Sequence, residues 1–542
     1  MSKQVKVIGL DNLDKFKGKI DENLETKANK SDIPESLPAN GGDALTAERL
    51  KTPRKINGVD FDGSADIEID TVTSEGLEEL KYLLMKIDTD MDVYGVEVDF
   101  ENNIFTRLSG ATSEMSFFNG YEKINALKGR RRCNITSDGT VIAYYGDKNY
   151  TEDVFADGTK EVVIYNMVEQ PKFYYKVIPL KIEKIAVESP YDENTKVIRK
   201  ARYYISDTKK PGFKVHPAFV RDGVEHDKIY LASYEGGIFD KDNNSIIDPK
   251  LAKQNGKLAI QAIIGGAPPE YIESLKKFTV TSTNSPNYPI IGDRTNLLTR
   301  EDCVFYAQAI GEGWGISTIQ TISVTQLLML IEYASFNMQA SIGVGNTQFT
   351  FNNSVVVGAG TTKDLGNYSG KGSKINAGGV DIQCISYRGE ENFYGNTNSY
   401  IDNIGYVFDT TRSFSPYIVI ADHALFEDTY LSSSYEDTGI FIPRSGDLPI
   451  SAFGYSENYD WAFIPVEGKG NTALPVGDNY SYNCSTASSL QSPDNVNKGS
   501  PVQIGGASFY SYSAGAFYLR ICNTDTTAGL TGCRLVYIPQ TT

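Results

Sequence analysis

Histidine is scarce in this chain of 542 residues: His216, His226 and His423 are the only three. His216 precedes Pro217 and reads as a core residue with satisfied ring nitrogens. The six cysteines (133, 303, 384, 484, 522 and 533) include no CxxC pair, which removes the usual zinc motifs and a dense disulfide scaffold. They read as buried, reduced thiols. Cys522 and Cys533 are near enough in sequence to be cross-strand neighbours, bonded or not. Long apolar runs are missing too. The most apolar stretch, Val324 to Ile331, is interrupted by Gln326 and stopped by Glu332, far short of a membrane span. The opening MSKQVKVIGL has no apolar signal core, so synthesis in a cytoplasm without Sec export is expected. Cations are outnumbered: 52 Lys and Arg face 69 Asp and Glu, a net charge of −17. Binding to nucleic acid or to an anionic membrane is therefore not expected, because counterion release needs clustered cations, and the missing span argues against membrane insertion. The one locally basic stretch, Gly129 to Arg132, reads as a solvated turn beside Cys133.

Catalytic motifs are equally sparse. No G-x-S-x-G elbow is present. Gly366 to Ser373 (GNYSGKGS) has the wrong glycine spacing for a phosphate loop. Asp240 to Asn244 begins like a calcium loop, but Ser245 replaces the glycine and Leu251 the closing glutamate. Glu390 and Glu391 are adjacent, so on a strand they face opposite sides and read as structural polar contacts. A glycosidase pair among 69 acids cannot be named from sequence. No catalytic residue, metal ligand or cofactor follows, and the expectation is a protein that is not an enzyme.

What the chain has in quantity is tyrosine (34) and phenylalanine (25), with 40% hydrophobic residues overall, a composition suited to folded β-rich protein. Its length predicts several domains. Leu10, Leu13, Phe16, Ile20 and Leu24 predict a short amphipathic helix, followed by a linker at Pro34, Pro38 and Gly41-Gly42. Asn57-Gly58 predicts a tight turn, and Ala65 to Ile69 an alternating strand. Glu75 to Ile87 predicts a second helix with a seam of Leu77, Leu80, Leu84 and Ile87, a spacing that favours self-association. From Val96 the pattern turns to strands, with a hairpin at Asp138-Gly139. Two helices, Thr299 to Glu312 and Thr321 to Met338, interrupt the β-rich sequence and predict an α+β domain. The last fifth culminates in Gly505 to Val536. Small residues there frame Phe509, Tyr510, Tyr512, Phe517 and Tyr518, and a polar loop with Asn523 and Asp525 follows. Tyr, Ser, Gly and Asn are the common vocabulary of recognition surfaces.

Leu45 to Ile69, LTAERLKTPRKINGVDFDGSADIEI, resembles a short repeat of bacteriophage tail fibres and related tail-like particles. The match runs nearly position for position from Ala47 to Ile69, with Pro53 in place of a common alanine. A second set of landmarks resembles phage tail proteins whose C-terminal half has the C-type-lectin-like fold in the variant shared with formylglycine-generating enzyme. These are His216 to Phe219, Tyr387 to Asn396 (YRGEENFYGN), Gly505 to Phe517 and Gly532 to Val536, and the resemblance covers roughly Val162 to the end. It departs at Phe393-Tyr394, Tyr400 and Phe509, where that family often has tryptophan. Cys522 and Cys533 lack the spacing of the enzyme's catalytic cysteines, so that activity is not expected.

The resemblances imply a particle-attachment segment at 1–40, a fibre repeat at 41–72, a trimerising helix at 73–95, a β-rich region at 96–185 and a lectin-like receptor-binding domain at 186–542. They imply a homotrimer in a virion tail, attached through its N-terminus to tail or baseplate proteins. It would be made in the host cytoplasm and act extracellularly on a bacterial surface polysaccharide or surface protein. Phe509, Tyr510, Tyr512, Tyr518, Asn523 and Asp525 are the expected ligand contacts. Tyr387, Arg388, Gly395, Asn396, Gly505, Gly515, Phe517 and Arg534 are the expected framework. A tail-associated depolymerase is the alternative, and a plain fibre shaft a third.

Overall fold

The computed structural model describes residues 54–56, 59–61, 74–112, 123–153, 162–186, 194–240, 245–247, 278–281, 300–349, 356–377, 379–407, 417–421, 433–441, 447–468, 481–483, 500–521 and 531–539. The chain divides into two compact units, Met1–Asp88 and Thr89–Thr542. In the first, strands Arg54–Ile56 and Val59–Phe61 pair antiparallel, with Ile56 opposite Val59 across Asn57-Gly58. That is the hairpin the Asn-Gly pair predicts. The helix Ser74–Met85 follows. The amphipathic helix at Leu10 to Leu24 and the strand at Ala65 to Ile69 lie outside the described residues.

The second unit is β-rich with few helices. Strands from the expected β-rich region and from the expected C-terminal domain share the same sheets. Tyr174–Ala186 pairs antiparallel with Asn194–Ser206, so the division expected at 185/186 falls at the end of one arm of a hairpin. Val93–Asp99 pairs with the same strand Asn194–Ser206. The reason is visible in the burial: Val93, Val96 and Val98 are fully buried and need partners that later segments of the chain supply, Val96 and Val98 sharing a core with residues of the helix Ile319–Tyr333. A six-stranded sheet runs in the order Trp314–Ile316, Leu535–Tyr537, Lys228–Ala232, Tyr165–Pro171, Arg131–Ile135, Val141–Tyr144. The C-terminal strand is thus an interior strand. Gly139 (φ 82°) makes the turn expected at Asp138-Gly139.

Asn398–Val407 is the spine of the larger, 14-stranded sheet, and all ten of its positions are buried. Behind it lies the helix Ile319–Tyr333, of which only Tyr333 escapes burial. A helix hidden on every side has no polar face, and its periodicity is correspondingly weak. Thr318 and Thr321 close a capping box at its start. At its end Arg107 donates to the carbonyls of Ile331 (2.8 Å) and Glu332, a cation where the helix dipole favours one. The helix stops earlier than the expected Met338 because Ala334 turns left-handed (φ 48°) and Asn337 caps a new short helix, Met338–Ser341. Phe336 then enters an aromatic cluster with Phe517 (4.8 Å), Phe453 (5.4 Å) and Phe100 (5.4 Å).

Candidate functional site

The expected framework segment Tyr387 to Asn396 is a buried loop that leaves the β ladder repeatedly. Arg388, Gly389, Asn392, Gly395 and Asn396 all have positive φ, between 44° and 96°. Only strong side-chain partners hold so irregular a path. The Tyr387 hydroxyl donates to Glu332 Oε2 (2.8 Å), and Arg388 grips the same carboxylate through Nε (2.7 Å) and Nη2 (2.9 Å). Asn396 accepts from the Val357 amide (2.9 Å) and donates to its carbonyl (3.0 Å), imitating a strand partner. Glu390 and Glu391 do face opposite ways. Glu390 pairs with Arg130 and accepts from Thr325 Oγ1 (2.8 Å). Glu391 accepts from the amides of Gly360 and Thr362, each at 2.7 Å. Arg534 donates to the carbonyls of Glu391 and Ala232, each at 2.7 Å.

The basic stretch is not a solvated turn. Arg130 and Arg132 are 2% and 0% exposed. Arg132 donates to Gly389 O (2.9 Å), Tyr234 Oη (3.0 Å) and Thr362 Oγ1 (3.1 Å). The sequence signal that could have placed them is the carboxylate pair in YRGEEN, which needs buried cations if it is itself buried. Glu235, unremarked in the sequence, accepts from Asn392 Nδ2 (3.1 Å), Asn396 and Thr397. Burial pushes its carboxyl up to about 7 despite these donors. His216 is a satisfied core residue: Nδ1 accepts from the Ala218 amide (3.3 Å) and Nε2 lies 3.3 Å from Ser323 Oγ.

On this framework rests the tyrosine edge. Gly505 (φ 86°) takes a left-handed conformation that favours glycine, and a Cβ there would press on the Phe393 carbonyl oxygen at 3.1 Å. Gly515 lies opposite Gly505 across the strand pair, and Phe517 is buried in the aromatic cluster. Between them Ser511–Ser513 forms a short 3-10 turn. Its backbone is fixed by Ser511 N to Thr347 O (2.7 Å) and by Gln339 Nε2 to Ser511 O (2.9 Å) and Ala514 O (2.8 Å). The turn projects Tyr512, 58% exposed. Phe509 and Tyr510 are half-buried and stacked at 4.6 Å. Tyr518 corrects the expectation of an exposed contact: it is 0% exposed, with its ring 5.2 Å from Tyr510. On the strand Gly515–Ile521 it occupies a position with both faces covered. Asn523, Asp525 and Cys522 lie outside the described residues. Cys133, Cys303, Cys384 and Cys533 are buried and outside any disulfide.

Two further aromatic segments are candidates for contact, Tyr394 and Tyr455 to Trp461. Tyr394 is buried, its hydroxyl donating to the carbonyls of Met338 (2.9 Å) and Gly343 (2.6 Å). Tyr459 and Trp461, by contrast, line an open cleft of about 410 Å³ together with Tyr175, Lys214, Gln320 and Glu436. Tyr459 donates to Glu436 Oε2 (2.9 Å), and Tyr175 donates to Asp460 Oδ1 (2.7 Å). Burial holds the Asp460 carboxyl above the usual range, with Lys214 opposing.

Among the described residues no three His, Cys, Asp or Glu side chains are grouped to hold a metal ion, and no helix is long and apolar enough to cross a membrane. No protein-family model and no curated protein sequence matches the chain.

Proposed function

We propose that the chain is a receptor-binding protein of a phage tail or tail-like particle. Its C-terminal unit, of the C-type-lectin-like kind, would attach the particle to a polysaccharide or protein of a bacterial surface. The observation that carries this reading is Tyr512, a large aromatic held outward by a turn whose backbone is tied at three points. A rigid, exposed tyrosine spends little entropy on binding. The fibre-repeat resemblance, whose Asn-Gly hairpin has the expected register, supports attachment through the N-terminal unit to tail or baseplate proteins. Leu77 and Leu84, one heptad apart on the helix Ser74–Met85, are 42% and 38% exposed. They are the seam of a homotrimer, and three weak sites on one trimer hold a surface by avidity. This reading needs no cofactor and no catalytic residue.

The test is adhesion of the purified full chain to candidate bacteria. Tyr512→Ala is expected to weaken adhesion about tenfold or more while melting is unchanged; undiminished adhesion would overturn the assignment of this edge. Monomeric light scattering of the intact chain would overturn the trimer.

A second reading, a depolymerase, is favoured by one observation: Glu436 lines the cleft, Asp460 accepts from the cleft residue Tyr175, and burial raises the Asp460 carboxyl toward general-acid use. New reducing ends from envelope polysaccharide, abolished by Asp460→Asn, would establish it.

A further inference from the structure

A second depression of about 400 Å³ adjoins the cleft at Tyr459 and Trp461, and the two share Asn458. The strand Tyr435–Phe441 runs along both, giving Glu436 to the first and Thr438 and Gly439 to the second. The loop from Tyr455 to Trp461 runs along both as well. It is anchored by the Tyr455 amide on Lys196 O (2.8 Å) and the Ala462 amide on Tyr459 O (3.0 Å).

We infer that this double trough is a binding site for an uncharged oligosaccharide, distinct from the tyrosine edge, with a sugar ring laid on Tyr459 and the reducing or non-reducing neighbour passing Asn458. The inference rests on the receptor-binding reading for its biological use, and on the trough alone for its chemistry. Each depression falls in the range of about 300–1,000 Å³ typical of small-ligand sites. The floor of the first is aromatic and immobile: Trp461 is 5% exposed and Tyr175 3%, and the Tyr459 ring lies 6.2 Å from that of Trp461. Aromatic faces provide a flat apolar surface for the C–H face of a pyranose. The rim is polar, of both signs and both hydrogen-bonding senses. Lys214 and Asn458 can donate, Glu436 accepts, and the Ser433 and Ser434 hydroxyls do either. In the second depression Lys184 and Lys196 face Glu457. A polyanion would meet Glu436 and Glu457, a polycation the three lysines, and a purely apolar ligand would strand all of them. A neutral polyhydroxylated ligand, whose every hydroxyl both donates and accepts, satisfies this rim without leaving a charge unpaired.

The full-length protein should be tested on an array of immobilised neutral and acidic oligosaccharides, with tryptophan fluorescence for the hits. The only other tryptophan, Trp314, is buried in a different cluster, so a Trp314→Phe background makes Trp461 the reporter. The expected result is retention on one or more neutral glycans, with saturable quenching and little salt dependence. Tyr459→Ala should weaken that binding about tenfold, whereas Tyr459→Phe, which keeps the ring, should weaken it far less. Melting curves of both variants separate lost binding from lost folding. Tyr512→Ala should leave glycan retention intact, so failure of the edge and failure of the trough give different patterns. Retention of acidic glycans only, of none, or quenching that survives Tyr459→Ala in a folded protein would overturn the inference.

Discussion

Glu235 offers the sharpest test of the buried framework, because its isosteric amide separates charge from shape. Its carboxylate is 2% exposed and its carboxyl is raised by burial from the ordinary 4.5 to about 7. Asn392 and Asn396 can only donate through their Nδ2 groups here, but the Thr397 hydroxyl can reverse and accept. A proton on the oxygen facing Thr397 is therefore accommodated, and so is the amide group of glutamine. The sign follows from the raised value. Between pH 4.5 and 7 the folded state holds a proton that the unfolded state has released, so stability falls as pH rises through this window and levels off above it. At ~1.4 kcal/mol per pH unit, the span from 4.5 to about 7 corresponds to about 3 kcal/mol. Asp207 and Asp460 are also raised by burial and push the same way. The useful quantity is thus the difference between the wild type and Glu235→Gln, in which those contributions cancel. Calorimetric melting of both proteins at half-unit steps across this window is expected to show Glu235→Gln gaining on the wild type by about 3 kcal/mol in total. Parallel melting curves at every pH would refute the reasoning and mean that the three donors hold Glu235 ionised throughout.

Three further outcomes are expected. Glu332→Ala removes the shared acceptor of Tyr387 and Arg388 and leaves a buried guanidinium uncompensated, a loss of about 3–5 kcal/mol measurable by denaturant or thermal unfolding. Gly395→Ala places a Cβ 2.9 Å from Thr347 Cγ2 at a φ of 78°, and should cost about 1–3 kcal/mol in the same assay. Replacing Leu77 and Leu84 together by serine is expected to shift the intact chain toward monomer in light scattering, with no change in the melting of the unit Thr89–Thr542.

Where local chemistry decides, the sequence was informative. The strands flanking Asn57-Gly58 and those flanking the longer turn at Asp138-Gly139 pair as hairpins, because short connections depend on the turn residues themselves. The helix expected at Thr321 to Met338 forms as Ile319–Tyr333, but its end was not legible, since Ala334 adopts a left-handed conformation that alanine does not advertise. Periodicity gave no guide at Arg132, in a strand whose positions from Arg132 to Ile135 are all buried, nor at Arg130 just before that strand. It failed for Tyr518 for the same reason. A strand covered on both faces carries no alternation from which an outward side could be read. The cleft at Tyr459 was visible only as a cluster of aromatics. Its partners Tyr175, Lys214 and Glu436 come from strands far apart in sequence, and no spacing rule relates them.

The concentration of buried charge around the segment from Tyr387 to Asp402 has a physical reason beyond pairing. Replacing buried ion pairs by well-packed apolar side chains is often neutral or stabilising, so stability alone does not account for four arginines with 2% exposure or less: Arg130, Arg132, Arg300 and Arg534. The loop Tyr387 to Asn396, with five residues at positive φ, forfeits the ladder bonds a strand would make. Its orphaned carbonyls and the amides around it must still be satisfied. Arg132 takes the Gly389 carbonyl, Arg534 the Glu391 carbonyl, and Glu391 the amides of Gly360 and Thr362. Charged side chains thus replace backbone partners, and an apolar substitute could not. The edge inherits this rigidity through backbone bonds, with the Gln339 side chain holding the Ser511 and Ala514 carbonyls. Asn396 N binds Asn346 O, Ser508 N binds Asn396 O, and Ser511 N binds Thr347 O. None of these bonds uses the side chain of Tyr512. Exchanging that side chain should therefore alter what the edge binds at almost no cost in stability, within about 0.5 kcal/mol, whereas Asn396→Ala, which strips the Val357 bridge, should cost several times as much. Equal melting losses for the two substitutions would show that edge and framework are not separable.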